Sequence, residues 1–148
     1  MRSVNVAVPS NIVAGFRYRA KRIFPLEAFG LLLGSHRKSQ YIVEDIHYPI
    51  DWHEQAREDR VCIRQGWWVE AAIAAGWQDL GVIGDMHSHC YEDVKVVKDC
   101  ALSQQDCGRF EVGYLQGVMV VTRCGDGKLR SRFRFWAPCP QTTTTVLR

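Results

Sequence analysis

A short apolar run, Leu80-Gly81-Val82-Ile83-Gly84, leads directly into Asp85-Met86-His87-Ser88-His89. The run reads as a strand. Strand side chains repeat every two residues, so His87 and His89 share one face. This pair constrains the fold more than any other stretch, because two adjacent imidazoles call for a third group from elsewhere in the chain. Leu102-Ser103-Gln104-Gln105-Asp106 offers one, seventeen residues after His89. Ser103 and Asp106 stand three apart, which on a helix places them on one side. Two imidazoles and a carboxylate make three protein ligands. Three ligands with an open fourth position is the pattern of catalytic zinc, whereas structural zinc takes four.

At 148 residues the chain is expected to be one domain, residues 1–140, followed by a tail, 141–148. The tail carries four consecutive threonines and reads as a disordered end or an added strand. A hydrophobic fraction of 47% and a charged fraction of 24% are those of an ordinary globular protein. A net charge of +3 is too weak to argue for nucleic acid. No stretch has transmembrane length and no apolar signal region follows Met1-Arg2, so a cytoplasmic location is expected. The six cysteines form no C-x-x-C pair and read as reduced thiols.

Along the chain, Val4–Val8 reads as a first strand. Ser10 is a candidate N-cap for a helix with Ile12, Val13, Phe16 and Ala20 on its apolar stripe, ending at Phe24-Pro25. Leu26–Gly34 is a near-continuous apolar run, hence a buried strand. Glu27 is its misfit: a carboxylate at the mouth of a hydrophobic strand, also compatible with a strand end pointing to water. Tyr41–Ile46 is a hairpin partner, 49–59 a polar loop and Arg60–Arg64 a further strand. Gln65–Trp77 reads as an Ala-rich helix, apolar all round and so expected to be well buried, with Trp68, Ala71, Ala72 and Ala75 on one side. A loop is expected from Cys90 to Cys100, and a short helix from Asp106 through Phe110. Val118–Val121 lies in a buried strand, and Gly125-Asp126-Gly127 is a hairpin turn. In Leu129–Trp136, Leu129, Phe133 and Phe135 face inward while Arg130, Arg132 and Arg134 face out, as on a solvated strand. Cys100 and Cys107 read as core packing. The order implies an α+β domain with a central mixed sheet and helices packed on it.

If His87, His89 and Asp106 hold Zn²⁺, the fourth ligand is water. Zinc lowers the pKa of that water from 15.7 to about 7 and provides a nucleophile for a carbonyl. An amine leaving group must then be protonated, commonly by a carboxylate that does not bind the metal. Glu27 is the candidate, provided its strand lies beside that of His87. Ser103 is a candidate donor to the developing oxyanion. The sum is metal-dependent hydrolysis of an amide. Barrel amidohydrolases with H-x-H need roughly 250 residues. A cupin-like barrel has Gly81 correctly placed before His87, but Glu92 comes one residue too soon and no second His motif follows.

Pro25-Leu26-Glu27-Ala28-Phe29-Gly30-Leu31-Leu32-Leu33-Gly34, Gly84-Asp85-Met86-His87-Ser88-His89 and Ser103-Gln104-Gln105-Asp106 together resemble the JAMM (MPN-plus, JAB) metallopeptidase family. Its pattern is Glu, a long gap, His-Ser/Thr-His-Pro, a spacer and Ser-x-x-Asp. The resemblance spans Pro25 to Asp106. It implies a cytidine-deaminase-like α/β/α MPN fold and one Zn²⁺ per chain. The implied activity is that of an isopeptidase or peptidase cutting after the C-terminal Gly of a ubiquitin-like protein. By position, His87, His89 and Asp106 would be zinc ligands, Glu27 the general acid/base and Ser103 the oxyanion donor. The implied partners are the ubiquitin-like substrate or its conjugates and E1/E2-like proteins of a bacterial conjugation system of the antiviral-defence kind, not nucleic acid or membrane. The same resemblance admits sulfur-carrier processing, a phage-tail peptidase and a non-catalytic scaffold. Two departures stand out. Cys90 replaces Pro, and the thirteen residues between His89 and Ser103 exceed the usual spacer. Asp93, Asp99 or the thiolates of Cys90 and Cys100 are therefore alternative third ligands. Asp106 is favoured because only it follows a Ser at the family spacing.

Overall fold

A computed structural model of the chain describes residues 3–50, 65–92, 100–107, 114–138 and 141–148. The expected strand at 60–64, most of the polar loop, the continuation of the short helix to Phe110, and the alternative ligands Asp93 and Asp99 lie outside the described residues. Among the described residues, seven strands and three helices follow one another as β1 (Ser3–Pro9), α1 (Ser10–Ile23), β2 (Phe29–Arg37), β3 (Gln40–His47), α2 (Gln65–Trp77), β4 (Gly81–Glu92), α3 (Gln104–Cys107), β5 (Leu115–Arg123), β6 (Leu129–Trp136) and β7 (Gln141–Leu147).

The strands form one mixed sheet in the order β6-β5-β4-β2-β3-β1-β7. β6 and β7 are consecutive in sequence yet sit at opposite ends of that order, with only four residues between them. Six inter-strand spacings in a flat sheet cover about 29 Å. Five Cα–Cα steps reach at most about 19 Å. The sheet therefore curls until its two edge strands approach each other.

This corrects the expected α/β/α layering. The fold is mostly β, with about half of its residues in strands and about a quarter in helices, and the sheet is a nearly closed barrel rather than a flat layer between helical ones. The reason is topological. The order of elements is compatible with either arrangement, and the short link between opposite edges selects the curled one.

The curl separates two cores. On its inner face, Ile12, Val13, Phe16 and Ala20 of α1 pack with Val6, Val8, Leu32, Tyr41, Met86, Met119 and Phe135. α1 begins at Ser10, but its N-cap position is Pro9 and no side chain caps it, so the expected Ser10 cap is absent. On the outer face, Trp67, Ala71 and Ala75 of α2 pack on Phe29, Leu31 and Leu33. Glu70 anchors this helix by accepting from His47 at 3.0 Å and from the Ile50 N–H at 3.3 Å. Only that i, i+4, i+8 stripe is buried. Val69, Ile73 and Trp77 are exposed and Ala72 also faces outward, so the expectation of a helix buried all round is corrected.

Two glycines allow the backbones to come this close. A Cβ on Gly84 would lie 1.8 Å from the Leu115 carbonyl oxygen, and one on Gly34, at a bulge in β2, would lie 1.9 Å from that of Ile42. β4 runs three residues past His89, where a loop was expected. β5 supplies a parallel partner for each of them, Cys90 with Val121, Tyr91 with Thr122 and Glu92 with Arg123. The tail joins the sheet as β7, parallel to β1 from Ser3–Gln141 to Pro9–Leu147.

Candidate metal centre

β4 pairs antiparallel with β2, His87 opposite Phe29 and Asp85 opposite Leu31. Opposed residues share a face, so Asp85, His87 and His89 point to the outer side with Phe29 and Leu31. Glu27 precedes Phe29 by two and belongs to the same side. Three hydrogen bonds extend the alignment beyond β2. The Ser88 N–H donates to the Ala28 carbonyl at 3.0 Å, and Ser88 Oγ accepts the Ala28 N–H at 2.7 Å. Cys90, which stands where the family pattern has Pro, donates its thiol to the Leu26 carbonyl at 3.4 Å. The Glu27 segment is thus clasped along β4, level with His89. Glu27 itself is buried, which removes the reading of a strand end pointing to water.

Asp106 arrives on α3. Ser103 is the N-cap of this single turn: its Oγ accepts the Asp106 N–H at 3.1 Å, and the Asp106 carboxylate accepts the Ser103 N–H at 2.9 Å. The Ser-x-x-Asp spacing therefore forms a reciprocal cap. A buried Gln116 on β5 donates to the Asp106 carbonyl at 2.8 Å and fixes the turn to the sheet. Cys100 is buried against Val118 and Val120, as expected for core packing, whereas Cys107 is exposed, against that expectation.

In this arrangement Asp106 Oδ2 stands 3.1 Å from His87 Nε2 and 3.1 Å from His89 Nε2. One ligand atom from each of the three residues lies within 4.8 Å of the others. Asp85, fully buried, accepts from His87 Nδ1 at 2.8 Å, and its second carboxylate oxygen accepts from the Tyr114 hydroxyl. Neither residue was singled out from the sequence. Asp85 had a signal, lying two before His87 and so on its face. Tyr114 and Gln116 had none, because their contacts depend on the pairing of β5 with β4.

The electrostatics follow from this geometry. Burial pulls the His87 pKa down, but the hydrogen bonds and charges of Asp106 and Asp85 outweigh it and raise the group to about 9. Burial alone would raise the Asp106 carboxyl. The hydrogen bonds from His87 and His89 hold it well below the usual carboxylate range. Tyr91, next in the β4 alternation after His89, is pushed up by burial and by Glu27, Cys90 and Asp106, so its hydroxyl feels both carboxylates.

The donor set fits a metal such as zinc. Two imidazole nitrogens and one carboxylate oxygen, the donor types zinc takes, converge within 4.8 Å of one another. His87 also has the carboxylate partner on its other nitrogen that metal-ligating histidines commonly have.

Among known proteins, a family model described as prokaryotic homologs of the JAB domain matches residues 9–93. No curated protein matches the chain. A solved structure of a Desulfitobacterium hafniense protein is similar at a TM-score of 0.63 and 13% identity, covering 96% of this chain and 94% of that one. One from Salinibacter ruber is similar at a TM-score of 0.53 and 20% identity, covering 95% and 83%. At such identities the likeness is one of fold. The family match takes in Glu27, His87 and His89, while Ser103 and Asp106 follow it. Because it spans more than half of the chain, from the start of α1 to the end of β4, the chain belongs to the prokaryotic homologs of the JAB domain.

Proposed function

We propose that this chain is a zinc-dependent peptidase or isopeptidase that cleaves after the C-terminal Gly of a ubiquitin-like protein. The observation that carries the reading is the convergence of His87, His89 and Asp106 beside the buried Glu27 segment. His87, His89 and Asp106 would hold one zinc. When bound, zinc supplies a water acidified to near neutral pH and a Lewis acid for the amide carbonyl. Glu27 takes the proton from the attacking water and returns it to the leaving amine. Ser103 Oγ uses a lone pair on the Asp106 N–H, and its hydroxyl proton is directed to the carbonyl oxygen as charge develops there. Asp85 keeps the His87 Nδ1 proton in place, so that Nε2 is the ligating nitrogen. The ubiquitin-like substrate and E1/E2-like partners rest on the family resemblance.

The test pairs metal content with turnover. Purified wild type should hold about one zinc per chain, and Asp106→Ala should lose it. Glu27→Gln should keep zinc and lose at least about 100-fold in cleavage of a ubiquitin-like fusion. Full turnover by Glu27→Gln would remove Glu27 from the mechanism. Absence of zinc from the wild type would favour a non-catalytic binding module.

A further inference from the structure

Three arginines surround an open pocket of about 630 Å³ beside the metal-binding cluster. Arg132 and Arg134 come from β6 and Arg17 from α1, with Phe133, Trp136, Cys100 and Ala101 completing the wall. The arginine row of β6 reads from sequence as uniformly solvated, but its members differ. Arg130 is paired with Asp126 at 2.9 Å. Among the described residues, no carboxylate lies within ion-pair distance of Arg17, Arg132 or Arg134. The guanidinium carbon of Arg134 stands 3.7 Å from the centroid of the Trp136 ring, a cation–π contact that restrains the side chain. Arg17 is held by its Nε, which donates to Ser131 Oγ at 2.7 Å, so its terminal nitrogens remain to bind an anion. Holding the guanidiniums in place in this way lowers the ordering cost of binding one.

The pocket wraps the edge strand β6: Arg17 and Phe133 lie on the side that packs against α1, whereas Arg132, Arg134 and Trp136 share a face of the sheet with the metal cluster. Arg134 is in register with Val118, which is in register with His87, and Arg132 reaches His89 in the same way through Val120. Two inter-strand spacings, about 10 Å, separate them, which is about three residues of extended chain. The wall between them is the segment from Cys100 that leads into Ser103 and Asp106. It packs on Val118 and Val120 and is held by Trp136 Nε1, which donates to the Cys100 carbonyl at 2.7 Å.

We infer that this pocket is a specificity subsite for an acidic side chain, Asp or Glu, about three residues from the bond presented to the metal cluster. Carboxylates pair with guanidinium forks through charge-assisted hydrogen bonds. A nucleic acid would call for a basic stripe following a backbone, whereas this is one discrete pocket in a chain of net charge +3. The inference rests on the peptidase reading for the position of the bond, but not for the binding of the acidic group.

The experiment uses the zinc-loaded full chain and two fluorescein-labelled peptides, one carrying an Asp-Glu pair and the other its Asn-Gln isostere. Anisotropy should show the acidic peptide binding about tenfold tighter, with the preference shrinking as salt is raised. R132A/R134A should abolish the preference. R132E/R134E should reverse it toward a Lys-Lys peptide, a gain that a misfolded variant cannot give. Equal binding of the two peptides, or a preference unchanged in R132A/R134A, overturns the inference. So does displacement of the acidic peptide by inorganic phosphate or triphosphate at lower concentration than by free glutamate peptides, which would assign the pocket to phosphate. Binding is read without cleavage, so an acidic preference without turnover supports the subsite while the peptidase reading fails. Turnover of acidic and neutral substrates at equal kcat/KM overturns the subsite alone.

Discussion

At the scale of single residues, His87 is held from two sides, by Asp106 at Nε2 and Asp85 at Nδ1. Removing the charge behind the ring should weaken the metal more than the fold. Asp85→Asn is expected to lower zinc affinity about 10- to 100-fold, read by competition with a chelating dye. Unchanged affinity would leave Asp85 a packing residue. The metal-free protein has its own pH dependence. Burial would lower the His87 pKa, but Asp106 and Asp85 raise it from 6.5 to about 9 in the folded state. A raised folded pKa contributes stability that is fully present below the unfolded value and is lost as pH rises through the folded one. The stability of the zinc-free protein, and its melting temperature with it, should therefore fall as pH rises from 6.5 to 9. A flat or rising profile in chelator-treated protein would contradict it. Asp106, held low, has the opposite sign and affects stability only in acid.

At the scale of elements, α3 is a single turn whose stability is its cap. Ser103 and Asp106 exchange backbone-to-side-chain hydrogen bonds, so the serine also orients the ligand. Ser103→Ala should cost about 1 kcal/mol of stability and weaken zinc binding as well as turnover. If Ser103 served only to donate to the substrate carbonyl, turnover alone would fall and metal affinity would stay. The H-x-H strand and the Ser-x-x-Asp turn were legible in the sequence because each is local: a period of two puts both imidazoles on one side, and a spacing of three builds a cap. The length of β4 was not legible. Cys90, Tyr91 and Glu92 are strand because β5 runs beside them, a fact recorded some thirty positions further on. The buried side of α2 is not legible either, because its residues are apolar on every side and the pattern itself names no inner face. Packing on Phe29, Leu31 and Leu33 chose Trp67, Ala71 and Ala75.

At the scale of the whole molecule, β7 closes one edge of the sheet by running parallel to β1. Removal of 141–148 would bare the edge of β1, whose Val6 and Val8 are fully buried. The truncated chain should melt several degrees lower and self-associate through the uncovered edge, visible by size-exclusion chromatography. An unchanged melting temperature would make the tail dispensable. Much of the element order, and the chemistry available to His87, His89, Asp106 and Glu27, could be read from the chain alone, because these depend on residue type and on spacings of two to four positions. Three features belonged to the tertiary structure: the curl of the sheet, the Tyr114–Asp85–His87 chain and the meeting of Arg17 with Arg132 and Arg134. Each depends on which strands become neighbours. That choice is made by a short link across the sheet and by strand pairings between distant segments, and local periodicity carries no record of either.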